Sequence, residues 1–92
     1  MITAFVHIQT APSATSQVAS QLAKIDGVAE VYSVTGEWDI IAIVRLGDYE
    51  QLAQTVPDQI GATPGIIRTS TVLAFRSYTK EDIAATWDIG LS

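Results

Sequence analysis

The residues of this chain best suited to chemistry cluster in SVTGEWDIIAIV (residues 33–44), where Glu37, Trp38 and Asp39 follow Gly36 and lead directly into an apolar run. A carboxylate at Asp39 can hold a ligand ammonium through charge-assisted hydrogen bonds, or it can simply be the solvated rim of a strand. Glu37 stands where a turn tip accepts any polar residue. Two apart on a strand, Glu37 and Asp39 can face the same cation, but without further ligands they make a poor metal site. Trp38 can serve as core, as a subunit anchor or as a pocket wall, and tryptophan is enriched in the last two settings. A second set, Thr69, Ser70 and Thr71, offers three hydroxyls that fill a strand or hydrogen-bond a carboxylate or amide.

Other chemistries find less support. His7 alternates with Phe5 and Gln9 in a strand pattern, where a single histidine reads as a hydrogen-bonded core or interface residue, and no second histidine completes a metal site. The chain has no cysteine, which removes thiolate catalysis, thiolate metal sites and disulfides. No nucleophile is paired with a base, and no glycine loop is arranged to cradle phosphate. Arg45, Arg68 and Arg76 are spread along two strands and balance nearby acids. No cofactor and no metal are expected.

Composition narrows the partners. Five Lys and Arg against ten Asp and Glu give a net charge of −5, with no basic run, so direct DNA binding is not expected of these residues. The amino terminus lacks a signal-like pattern and no apolar run reaches membrane-spanning length, which makes a soluble cytoplasmic protein the default. Hydrophobic residues make up 48% of 92 positions. One small domain that apolar exposes much of its surface or buries it against copies of itself, and the expectation is an oligomer.

The elements that must position these residues follow from period and punctuation. ITAFVHIQT (2–10) alternates as a strand that Pro12 ends, and residues 13–24 carry Val18, Ala19 and Leu22 at helical spacing, with Ser13 or Thr15 as cap and Gly27 closing the end. Residues 28–35 and 38–46 read as the arms of a hairpin whose two-residue turn is Gly36 and Glu37, glycine supplying the positive φ. The second arm is apolar on both faces from Ile40 to Val44, so it belongs inside a sheet. A second helical stripe follows over Tyr49, Leu52, Val56 and Ile60, with Pro57 placed to kink or split it, then a strand over 66–78. A short helix can start at Thr79, and the apolar Ile83, Trp87, Ile89 and Leu91 need a surface to cover.

This order predicts an α+β, ferredoxin-like βαββαβ fold, with two helices on one face of a four-stranded antiparallel sheet. The open face, carrying Phe5, Val31, Ile41, Ile43, Leu73 or Phe75 according to register, calls for a second sheet against it, giving a dimeric α/β barrel-like assembly.

GVAEVYSVTGEWDIIAIVRLGDYEQL together with IGATPGIIRTSTVLAF resembles the ligand-binding (RAM) domain of the Lrp/AsnC, or feast/famine, regulators, and the likeness covers nearly the whole chain. It divides the chain into an effector-binding domain, residues 1–78, and a carboxy-terminal extension, residues 79–92, packing on the domain or on a neighbouring subunit. Regulators of this family place a DNA-reading helix-turn-helix ahead of this domain, whereas here the chain starts at the first strand, so the resemblance implies a stand-alone module. It further implies a dimer, with rings of dimers, and an amino acid or related metabolite bound between dimers at the hairpin tip. The ligand-binding residues it points to are Gly36, Glu37, Trp38, Asp39, Thr69, Ser70 and Thr71. Two other readings stay open. One is a small cofactor-free monooxygenase or isomerase, in which His7, Tyr32 or Trp38 would line an enclosed pocket. The other is a pure assembly partner of a full-length regulator.

Overall fold

The alternation of ITAFVHIQT becomes strand β1 (Ile2–Thr10) in the computed structural model, which describes residues 1–81. Ala4, Val6, Ile8 and Thr10 are buried on one side of it, while Thr3, Phe5, His7 and Gln9 are half-buried on the other. Helix α1 (Thr15–Leu22) turns Val18 and Leu22 into the core. Strands β2 (Val28–Ser33) and β3 (Ile40–Leu46) form the hairpin. Helix α2 (Tyr49–Gln54) runs into a π-helical turn over Thr55–Ile60, and β4 (Ile66–Leu73) closes the order. The sheet is antiparallel with strand order β2-β3-β1-β4, the ferredoxin-like arrangement. β3 lies inside it, as its apolar faces require: Ile40, Ala42 and Val44 are fully buried, and Ile41 and Ile43 are half-buried on the opposite side.

Several local expectations are corrected. Helix α1 is shorter than residues 13–24, and neither Ser13 nor Thr15 caps it. Ser13 occupies a left-handed turn (φ 67°), and the Thr15 hydroxyl lies 2.8 Å from that of Thr10, drawn to the end of β1. Gly27 does not end α1, which stops at Leu22, but sits in the turn that leads into β2. Its φ of 93° is left-handed, its carbonyl accepts from the Arg45 N–H at 2.8 Å, and a Cβ there would run into the Leu46 side chain. Asp48 caps α2 by accepting from the Gln51 N–H at 2.8 Å. Pro57, which has no N–H to donate, is absorbed by widening of the helix, and the Gly61 N–H reaches Val56 O at 2.9 Å. β4 stops at Leu73 rather than 78, with one further bond from the Ala74 N–H to Thr3 O (2.9 Å), because its neighbour β1 has by then reached its own first residues.

The hairpin turn is also wider than two residues. Its last backbone bond runs from the Val34 N–H to Asp39 O (3.0 Å), and residues 35–38 form the tip. Gly36 keeps its left-handed φ (107°) in open space. Gly36→Ala is therefore expected to cost about 1 kcal/mol, for the backbone alone. Gly27→Ala adds displacement of Leu46 and is expected to cost about 2–3 kcal/mol. Urea unfolding of the two variants measures the difference.

Register settles the open face. Glu30–Ile43–Phe5–Val72 form one row across the four strands and Tyr32–Ile41–His7–Ser70 the next. Val31 pairs with Ala42 and Leu73 with Ala4, so both belong to the helix side, and Phe75 lies beyond β4, 97% exposed. At the rim the Tyr32 hydroxyl donates to Glu30 Oε2 (2.7 Å), and Arg45 Nη1 lies 3.5 Å from Glu30 Oε1. The hydroxyl, with Arg45 beside it, lowers the Glu30 carboxyl from its ordinary range, and the same hydrogen bond raises Tyr32. Of the carboxy-terminal apolar residues, Ile83, Trp87, Ile89 and Leu91 lie outside the described residues.

Candidate functional site

Asp39 is held at three points. Its N–H donates to Ile8 O (2.9 Å), its carbonyl closes the hairpin on Val34, and its Oδ2 accepts the Thr10 N–H at 2.8 Å. The same oxygen lies 3.4 Å from Thr10 Oγ1. Because Thr10 is buried on the helix side and its hydroxyl meets Thr15, the Asp39 carboxylate turns to that side, over the end of β1. Among the described residues no other hydrogen bond is made to this carboxylate.

Trp38, the preceding residue, goes the other way. Its ring stands 5.8 Å from the His7 imidazole, centroid to centroid, and the Arg68 guanidinium carbon lies 4.5 Å over the indole. Arg68 Nη2 also donates to Glu37 Oε1 at 3.2 Å. His7 Nδ1 is 3.3 Å from the Ser70 carbonyl oxygen. This aromatic and charged group sits at the hairpin end of the open face.

Strand alternation divides the hydroxyls. Ser70 pairs with His7 and stands on the open face, whereas Thr69 pairs with Ile8 and Thr71 with Val6, residues of the helix side. The helices pack over β2 and β3, which leaves Thr69 and Thr71 exposed on β4. The seven residues singled out by sequence therefore form two groups. Asp39, Thr69 and Thr71 share the helix side, Asp39 over the end of β1, Thr69 level with Ile8 and Thr71 level with Val6. Trp38 and Ser70 share the open face, and Gly36 and Glu37 make the tip between them. A carboxylate with hydroxyls on one face can hold a small cation-bearing, hydrogen-bonding ligand.

Two residues outside that set matter to it. Thr10 orients Asp39, and the clue lies in the alternation Ile2, Ala4, Val6, Ile8, which carries on to Thr10 and places a hydroxyl on the core face, where it needs a partner. Arg68 does more than balance charge, and nothing in the sequence pairs it with a residue 31 positions away. The three aromatic and imidazole groups named for an enzyme, His7, Tyr32 and Trp38, lie on the open face of the sheet, Tyr32 being 50% exposed. Among the described residues no group of three or more His, Cys, Asp or Glu is arranged to hold a metal. A hollow of about 530 Å³ beside Phe5, Arg45 and Arg76 lies at the far end of the sheet from the hairpin tip.

The chain belongs to the Lrp/AsnC ligand binding domain family, whose sequence model matches residues 3–83, and its ferredoxin-like fold agrees with that. An uncharacterized HTH-type transcriptional regulator from Pyrococcus abyssi is 37% identical over 82 residues, covering 86% of this chain and 55% of that protein. The chain thus spans about half the length of the curated relatives it matches. A protein of solved structure from Thermus thermophilus superposes with a TM-score of 0.82 at 45% identity, covering 87% of this chain and 100% of that one. A feast or famine regulatory protein from M. tuberculosis, solved in complex with L-methionine, superposes with a TM-score of 0.72 at 27% identity, covering 87% and 54%. Among the described residues no helix is long and apolar enough to cross a membrane.

Proposed function

We propose that this domain is a non-enzymatic effector-binding module that holds an amino acid or a related small metabolite between dimers and acts in transcriptional regulation through oligomerisation. The observation that carries the reading is the Asp39 carboxylate, oriented by the Thr10 N–H at 2.8 Å and sharing one face with the exposed hydroxyls of Thr69 and Thr71. An amino acid presents an ammonium and a carboxylate a few bonds apart. Asp39 takes the ammonium, and the hydroxyls with the backbone around Gly36 and Glu37 take the carboxylate. The L-methionine complex of the M. tuberculosis relative supports this class of ligand. A single domain leaves this face open to solvent, so a neighbouring dimer closes the pocket. The open sheet face, with Phe5, Ile41, Ile43 and Val72, supplies the surface for dimerisation. Through such contacts the module also has a route to full-length Lrp/AsnC regulators.

The test is a thermal-shift screen of the standard amino acids. A ligand at about 100 times its dissociation constant adds about 2.7 kcal/mol to the state that binds it, which for a domain of this size raises Tm by roughly 10–20 °C. A few amino acids should do so, and Asp39→Asn should remove the response. If none of them moves Tm, or if Asp39→Asn responds like the parent, the reading is wrong.

A further inference from the structure

Asp39, immediately before β3, and the hydroxyls of Thr69 and Thr71, on β4, stand on either side of β1. In the order β2-β3-β1-β4, β1 lies between them, and the hairpin tip projects past the end of β1, where the chain turns away at Ala11 and Pro12. Backbone bonds tie the root of the tip to β1 through the Asp39 N–H and Ile8 O, but among the described residues no backbone bond ties residues 35–38 to β4. What joins them is Arg68, on β4. It is paired with Gln9 in register, stacks on Trp38 at 4.5 Å and donates to Glu37 at 3.2 Å. Its chain neighbour Thr69 lies on the other face, beside Ile8, just as Asp39 is the chain neighbour of Trp38 on the other face. The contact on the open face is thus one peptide from Asp39 on one side and one peptide from Thr69 on the other.

We infer that Arg68 is a positioning residue for the effector site: by clamping Glu37 and Trp38 onto β4, it sets where the tip backbone around Gly36 and Glu37 stands relative to the Thr69 hydroxyl, while Asp39 is held by β1. This rests on the effector reading above but adds a residue on the opposite face that never touches the ligand. The guanidinium suits the task, since its plane stacks on the indole while its edge donates to the carboxylate, two contacts that one lysine ammonium cannot make together. Both partners of the ion pair are half or more exposed, so the clamp contributes little to global stability. Its effect falls on the fraction of domains whose tip is in the binding position, and apparent affinity scales with that fraction.

The experiment compares the parent chain with Arg68→Gln and Arg68→Lys in two measurements. Amide hydrogen exchange of Val34 and Asp39, whose N–H groups carry the backbone bonds at the root of the tip, should speed up in Arg68→Gln while the amides of β1 and β3 exchange as in the parent. Titration with the amino acid that gives the largest thermal shift should show an apparent affinity about tenfold weaker in Arg68→Gln, as expected if the competent fraction falls to about a tenth. Arg68→Lys should recover only part of the loss, and unliganded Tm should stay close to that of the parent in both variants. Unchanged exchange at Val34 and Asp39 overturns the clamp, whatever binds. Faster exchange with unchanged affinity overturns its role in the site and leaves the effector reading standing. If no amino acid binds the parent, the effector reading fails and takes the positioning role with it, while the exchange measurement still judges the clamp.

Discussion

Ile8→Ala should lower the stability of the domain by about 3 kcal/mol and its Tm by roughly 12–24 °C. Ile8 is fully buried near the hairpin end of β1, the strand with a neighbour on each side, and it pairs with Ile40 and Thr69. Truncation removes the transfer free energy of the lost atoms and leaves a cavity that two flanking strands keep from collapsing. For a domain of this size that is a large part of the total. Ile67→Ala is the control: the side chain is 62% exposed, and its loss should change stability by no more than about 0.5 kcal/mol. Thermal and urea unfolding of the two variants make the comparison. A small effect at Ile8 would mean that the sheet does not pack as described.

The second large effect is at Asp39, and the choice of replacement separates fold from recognition. Asp39→Ala leaves the Thr10 N–H, on a residue only 6% exposed, without its acceptor, and should cost about 1–3 kcal/mol in the absence of any ligand. The Thr10 hydroxyl keeps its contact with Thr15, which limits the loss to the backbone donor. Asp39→Asn offers an amide oxygen to the same N–H and should cost about 1 kcal/mol or less, the difference between an acceptor with full charge and a neutral one. Loss of the ligand response in Asp39→Asn then reports on the missing charge, not on a disturbed hairpin. Equal destabilisation by Ala and Asn would show that the hydrogen bond to Thr10 contributes nothing.

Much of the architecture is legible in the chain because it is written in local periods. Alternation at Ala4, Val6 and Ile8 marks β1. The doubly apolar run Ile40 to Val44 marks an interior strand. Gly36, Pro57 and the GATPG break punctuate what lies between. The family likeness points to Gly36, Glu37, Trp38, Asp39, Thr69, Ser70 and Thr71 as candidates for a ligand site. Where the reading slips, the cause is a partner distant in sequence. Thr15 is drawn to Thr10 instead of capping α1, Gly27 makes room for Leu46, and β4 ends where β1 has no more residues to offer.

By itself, then, the sequence determined the order and type of the elements and the core face of β1, and it singled out the polar residues at 36–39 and 69–71, since each of these depends on side-chain type and short-range spacing. Tertiary structure decided which of those residues face the same way. Thr69 and Thr71 join the side of Asp39 because β4 pairs with β1 in the register that sets Thr69 against Ile8, and Trp38 is parted from Asp39 because one is held by Arg68 and His7 and the other by Thr10. Register between distant strands and the pairing of residues 31 and 29 positions apart arise only when the sheet assembles around β1, and no local pattern encodes them.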